Sequence, residues 1–230
     1  MSQIETSTLA IQRSNAKGTM DSFFAKPAGG GPFPGVVVIH EIFGLNDHIR
    51  EIARKFAEQG YAALAVDLFS NRNRVLCMMQ VFYGIMFKPL DNPMLADLNS
   101  AFELLKQTQG VDADRIGSVG FCMGGSYALQ MAITAKGMKA ASVFYGANPK
   151  PLEAVAQACP IMGSYPDKDF TTRAAHELEA SLVNYKIPHD IKIYESTHHS
   201  FYSQQRTPFE VDASKDAWQR MLNFFGEHLT

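Results

Sequence analysis

The 230-residue chain is poor in cysteine and tryptophan, with three of the first and one of the second, and neither sign of charge dominates it. Cys77, Cys122 and Cys159 cannot all pair with one another and show no metal-ligand spacing. That excludes a disulfide scaffold and a cysteine-bound metal, and it suits a reducing compartment. With 21 basic against 23 acidic side chains the formal net charge is −2, which leaves no electrostatic footprint for nucleic acid and no polybasic face for a membrane surface. Long apolar runs are missing as well. No stretch approaches the length that spans a bilayer, and Met1 to Lys17 is polar where a secretory leader would be apolar, so the expected location is the cytoplasm. Internal repeats and low-complexity tracts are absent, and Ala28 to Pro34 is a Gly/Pro-rich turn rather than a linker. These absences leave a single domain over residues 1–230, monomeric or homodimeric, with a small molecule as its partner. Residues 1–17 form a polar segment able to supply an edge strand.

What is plentiful is apolar material, 46% of residues, set out in alternating strand-like and helix-like segments. Such alternation is the signature of an α/β class, a mostly parallel sheet with helices on both faces. Gly18 to Lys26 reads as a half-exposed strand, and Gly35 to His40 and Tyr61 to Leu68 read as buried ones. Asp47 to Gln59 has helical spacing, with Ile49, Ile52, Ala53 and Phe56 on one face and Gly60 as its stop. Leu95 to Gln107 and Ala213 to His228 are expected helices. Ile116 to Val119, Ala140 to Tyr145, Pro160 to Tyr165 and His189 to Tyr194 are expected strands. Ser70 to Pro93, rich in Met and aromatics, reads as helix or loop over the site, or as ordinary core.

The densest chemical signal is Gly120-Phe121-Cys122-Met123-Gly124-Gly125, which follows a strand and opens a helix running to about Ala135. Glycines two residues either side of Cys122 permit a tight strand-to-helix turn that raises the side chain above the sheet edge, a nucleophile elbow. The same turn aims the Met123 N–H at a developing oxyanion, and the helix N-terminus favours a thiolate. An elbow needs an acid and a histidine later in the chain. The strand Pro160 to Tyr165 runs into Pro166-Asp167-Lys168-Asp169, and the strand from His189 runs into His198-His199. Carboxyl ends of parallel strands are where catalytic groups gather, so three such ends supply a nucleophile, an acid and a base in order.

Together with the elbow, His40-Glu41-Ile42-Phe43-Gly44-Leu45-Asn46, Asp67-Leu68-Phe69 and His199-Ser200-Phe201 resemble the dienelactone hydrolase family, the carboxymethylenebutenolidases. The resemblance covers the chain from about Gly18 to the last helix. It implies a single-domain α/β-hydrolase fold, no organic or metal cofactor, and a Cys–His–Asp triad that opens esters or lactones through an acyl-thioenzyme. Cys122 matches the family nucleophile and His199 its base. Asp169 falls at the aligned acid of the family's Gly-x-x-Asp turn, with Asp167 as the nearby alternative. Ile42 supplies the second oxyanion N–H beside that of Met123. Glu41 matches the carboxylate that takes up the thiol proton in the resting enzyme; the other reading of Glu41 is an acid that pins its loop through hydrogen bonds.

Two departures bear on substrate. The family holds a substrate carboxylate with arginines, one of them four residues after the triad histidine; here that position is Ser203, and the nearest arginine is Arg206. Arg72 and Arg74 follow the Asp67-Leu68-Phe69 strand end, and the set expected to touch substrate is Arg72, Arg206, Phe43 and Tyr145. The chain therefore reads as a hydrolase opening a small ester or lactone through Cys122. The alternatives are a broad carboxylesterase or thioesterase, and a non-hydrolytic ligand-binding protein on the same fold.

Overall fold

The computed structural model describes residues 3–14 and 18–230; residues 1, 2 and 15–17 of the N-terminal segment lie outside the described residues. In chain order the elements are β1 (Ile4–Ser7), β2 (Ile11–Gln12), β3 (Thr19–Met20), β4 (Ser22–Pro27), β5 (Phe33–Ile39), α1 (Asp47–Glu58), β6 (Ala62–Val66), α2 (Arg74–Phe87) and α3 (Pro93–Gln107). They continue with β7 (Val111–Phe121), α4 (Met123–Thr134), β8 (Ala140–Phe144), a 3-10 turn at Leu152–Gln157, β9 (Ile161–Lys168), α5 (Thr172–Asn184), β10 (His189–His198), α6 (Phe201–Gln204) and α7 (Pro208–His228). Eight strands form one sheet in the order β1-β4-β6-β5-β7-β8-β9-β10. From β6 to β10 all neighbours are parallel, while β4 joins β6, and β1 joins β4, antiparallel. The edge strand expected from the polar N-terminal segment is β1.

Central strands are apolar on both sides because both sides are covered. In β5, Val36 and Val38 pack towards α1 and α7, and Val37 and Ile39 pack towards α3 and α4, as the two-residue period of a strand requires. Asn46 caps α1 by accepting from the Ile49 N–H at 3.0 Å, which leaves Ile49, Ile52, Ala53 and Phe56 buried along one stripe. Phe56 is fully buried against Trp218, Tyr61 and Phe225, and truncating it to Ala would cost about 3–5 kcal/mol.

Several boundaries differ from expectation for identifiable reasons. The strand expected over Gly18 to Lys26 is two, β3 and β4, separated at Asp21. β7 begins at Val111, five residues before the apolar run, because its first half pairs with β5 at the exposed rim and carries polar side chains. α3 starts at Pro93 behind an Asn92 cap, and α7 starts at Pro208 behind a Thr207 cap. α5 is a helix the sequence reading did not place. Ser70 to Pro93 contains α2, which buries only Cys77, Val81 and Gly84. The loop leading to α2 is tied down from the N-terminus: Arg13 pairs with Asp97 at 2.6 Å and donates to the Leu68 and Ser70 carbonyls. Breaking that buried pair from one side would cost about 3–5 kcal/mol.

Candidate active site

Five adjacent parallel strands end along one edge of the sheet, and each hands over to a residue of one cluster. Glu41 and Ile42 follow β5, Cys122 follows β7, Tyr145 follows β8, Asp169 follows β9 and His199 follows β10. Cys122 has φ 57° and ψ −118°, a conformation side chains disfavour by about 1–3 kcal/mol. The turn holds it there. The Cys122 N–H donates to the Phe144 carbonyl at 3.0 Å, a Cβ on Gly120 would run into the Gly124 carbonyl, and one on Gly124 would sit 2.6 Å from the His40 oxygen. Cys122 is also the N-cap of α4, whose residues Met123 to Ala132 are all buried, so the sulfur stands at the positive end of a helix fixed inside the protein.

The His199 Nε2 lies 3.1 Å from the Cys122 Sγ, and its Nδ1 lies 2.7 Å from the Asp169 Oδ2. Asp169 is almost completely enclosed, its side chain 3% exposed. The same Oδ2 accepts from the Thr171 hydroxyl, and Oδ1 accepts from the Phe170 N–H at 2.7 Å. Burial by itself would raise the Asp169 pKa, but these donors, His199 first, outweigh it and hold the carboxyl below its ordinary value. Burial would likewise lower the His199 pKa. The Asp169 hydrogen bond and the neighbouring sulfur outweigh it, and the imidazole is raised to about 9. One face of the ring is stacked by Phe170, with centroids 5.0 Å apart and planes at 23°, and Tyr145 lies 5.0 Å away at a steep tilt. Asp167 is engaged elsewhere, its Oδ1 accepting from the Thr197 N–H at 3.0 Å.

Glu41 is buried, and its Oε1 accepts from three hydroxyls: Ser200 at 3.0 Å, Ser203 at 3.2 Å and Tyr145 at 3.3 Å. Burial, reinforced by the Glu41 charge, pushes the Tyr145 pKa well up, so the phenol stays a donor. Ser203, the position where the family resemblance leads one to look for an arginine, is one of these donors. His40 fixes the same loop: its Nδ1 donates to the Glu41 carbonyl and its Nε2 accepts from the Leu68 N–H at 3.1 Å, which defines a neutral tautomer.

The cluster opens into a cleft of about 440 Å³ whose walls include Ile42, Phe43, Phe82, Ile85, Met123, Tyr145 and Phe170, with Gln204 and Arg206 among its polar lining. Of the residues expected to touch substrate, Arg206, Phe43 and Tyr145 line the cleft. Arg72 is not among the lining residues: it lies in the turn before the Asn73 cap of α2. Arg74, two residues on, donates to the Ile42 carbonyl at 3.0 Å. Thr171, Phe170 and Ser200, the last quoted only within the His199-Ser200-Phe201 motif, and the α2 residues Phe82 and Ile85 were given no role by the sequence reading. The first three are sequence neighbours of Asp169 and His199 and could have been sought there; the α2 pair reaches the site only through tertiary packing. A larger hollow of about 650 Å³ beside Arg13 and Glu103 holds no nucleophile–base pair. Among the described residues no group of three His, Cys, Asp or Glu is placed to hold a metal, and no helix is long and apolar enough to cross a membrane.

Comparison with known proteins identifies the family and the fold. The model of the dienelactone hydrolase family matches residues 20–229. A protein of Saccharolobus solfataricus provisionally named a carboxymethylenebutenolidase is 34% identical over 242 residues, covering 88% of this chain and 92% of its own. The crystal structure of a provisionally named dienelactone hydrolase from Klebsiella pneumoniae superposes with a TM-score of 0.84 at 28% identity, covering 98% of this chain and all of that one. A dienelactone hydrolase-like promiscuous phosphotriesterase from metagenomic libraries shares the fold, with a TM-score of 0.83 at 22% identity, covering 97% of this chain and 98% of that one. The architecture is the α/β-hydrolase fold.

Proposed function

The chain belongs to the dienelactone hydrolase family of hydrolases, and from that premise we propose that it opens small esters or lactones through a cysteine acyl-enzyme. Cys122 is the nucleophile, His199 the proton carrier and Asp169 the acid that orients it. One observation carries the proposal: the unbroken contact chain from the Cys122 Sγ through both nitrogens of His199 to the enclosed Asp169 carboxylate. With its pKa raised to about 9, the imidazole carries its proton at neutral pH, 3.1 Å from the Cys122 Sγ. The thiolate attacks the ester carbonyl, and the N–H groups of Met123 and Ile42 receive the oxyanion. Collapse of the tetrahedral adduct expels the alcohol, which takes the proton from His199 Nε2. The imidazole, now neutral, draws a proton from water, whose oxygen attacks the thioester and releases the carboxylic acid and the thiolate. Esters and lactones suit this nucleophile better than amides, because a thiolate leaves the tetrahedral adduct more readily than an amine does.

The three hydroxyl donors on Glu41 support a bracing role: its carboxylate fixes the loop that presents the Ile42 N–H. All three bonds fall on Oε1, and the thiol-activating role expected from the sequence is the other reading, which Glu41→Gln separates from bracing.

The test is covalent. Rapid quenching during turnover of an activated ester should give an intact mass increased by the acyl group, mapped to Cys122, and iodoacetamide should label Cys122 ahead of Cys77 and Cys159 with parallel loss of activity. Hydrolysis that persists in Cys122→Ala at the wild-type rate would remove the sulfur from the mechanism.

A further inference from the structure

Three phenylalanines from three separate parts of the chain stand exposed around the one cleft that holds Cys122 and His199. Phe43 follows β5 and is 51% exposed, Phe82 on α2 is 54% exposed, and Phe170 after β9 is 77% exposed. A single exposed ring needs no explanation, but an apolar rim that converges on a reactive centre marks a surface adapted to a ligand. Ile85 and Met123 continue the same wall inward.

Several polar groups of the cleft are engaged within the protein. Ser126 accepts from the Ala147 N–H at 2.8 Å, and Glu41 accepts from its three hydroxyls. Arg206 is the one lysine or arginine among the described residues lining the cleft, and its guanidinium donates to Gln204. Arg74, just outside, donates one N–H to the Ile42 carbonyl. A second carboxylate entering this space would lose its hydration, meet an apolar wall and lie near the Glu41 charge, with the exposed Arg206 as the one cationic side chain of the lining to pair with. An aromatic or branched apolar group loses nothing and buries area against three rings.

Resting on the acyl-enzyme reading above, we propose that this site selects neutral esters whose acyl portion carries an aromatic or other bulky apolar group, gripped by Phe43, Phe82 and Phe170, and that it discriminates against acyl groups ending in a carboxylate. Phe170 has two functions in this arrangement, since the ring that meets substrate also stacks on His199. The discriminating contacts are therefore tested at Phe43 and Phe82, since the aromatic rings against His199 are those of Tyr145 and Phe170.

Trifluoroethyl esters keep the leaving group small, activated and non-aromatic, so differences report the acyl group. The kcat/KM for the 3-phenylpropionate ester should exceed that for the propionate ester about tenfold or more, and the hemisuccinate ester should fall below both. Phe82→Ala and Phe43→Ala should each lower the phenylpropionate-to-propionate ratio severalfold, and Phe82→Leu should give an intermediate ratio. Hemisuccinate turned over as well as phenylpropionate would overturn the proposal, as would a ratio that neither alanine variant moves. A ratio that falls only where the variant also changes mass in solution would assign the effect to an interface between copies and overturn it too. An acyl adduct on Cys122 with a flat ratio defeats the selectivity alone. Retained selectivity with no adduct at Cys122 defeats the acyl-enzyme reading instead, and failure to turn over any of the three esters defeats both.

Discussion

The floor and the mouth of the cleft are built on opposite principles. The floor is the β7–α4 turn, where every residue from Met123 to Ala132 is buried and backbone atoms come so close to Gly120 and Gly124 that no side chain fits. The mouth is formed by α2 and two loops, and α2 leaves Val75, Leu76, Met79, Phe82, Tyr83, Met86 and Phe87 at least half exposed. On the floor a substitution moves backbone, sulfur and oxyanion donors together, because close-packed interiors transmit displacement. At the mouth it changes one surface. Under the proposed mechanism, the difference separates residues that set whether the bond breaks from residues that set which ester is broken.

The contrast is tested most severely at the acid. Asp169→Asn should lower kcat by about 10²-fold or more, because an amide cannot hold the imidazole in the required tautomer and charge. It should also alter the pH profile in a defined direction. The raised His199 pKa means that the proton needed by a departing alkoxide is present below about 9 and lost above it, so kcat/KM for an alkyl ester should fall on the alkaline side near that value. Removing the Asp169 charge and hydrogen bond should bring that limb to lower pH. Asp167→Asn keeps an oxygen for the Thr197 N–H and should change kcat by less than about threefold. The reverse ranking would transfer the acid role to Asp167.

Phe170→Ala comes next, since Phe170 belongs to both regions. Losing the stack on His199 exposes the imidazole, and kcat should fall by about three- to tenfold with a shifted alkaline limb. A change confined to KM would place Phe170 wholly in the mouth.

The smallest effect is expected at Glu41. In Glu41→Gln the amide oxygen can still accept from Ser200, Ser203 and Tyr145, so turnover should stay within about threefold, the iodoacetamide labelling profile should be unchanged, and the cost should appear as a Tm lower by a few degrees. A displaced labelling profile would give the carboxylate the thiol-activating part instead.

Local steric demand explains why the floor was readable in advance. Gly120, Gly124 and Gly125 are needed because neighbouring backbone leaves no room for Cβ, and that need is written as a motif around Cys122. The run Gly35 to His40 was equally plain, since a strand covered on both faces has no polar side to interrupt it. α2 was left open between helix, loop and core for the opposite reason: with apolar residues facing both protein and solvent, Ser70 to Pro93 carries no one-sided period. Arg72 failed as a candidate because sequence distance from a strand end does not say which way a turn before a helix cap will point.

Sequence alone thus determined the alternating α/β plan, the elbow at Cys122 and the supply of an acid and a histidine at later strand ends, because each depends on contacts within a few residues or on a regular period. The tertiary structure decided the rest. It put Asp169 rather than Asp167 against His199, gathered three hydroxyls onto Glu41 and brought Phe43, Phe82 and Phe170 around one opening. These pairings join residues tens of positions apart, so only the order of strands in the sheet could bring them within reach.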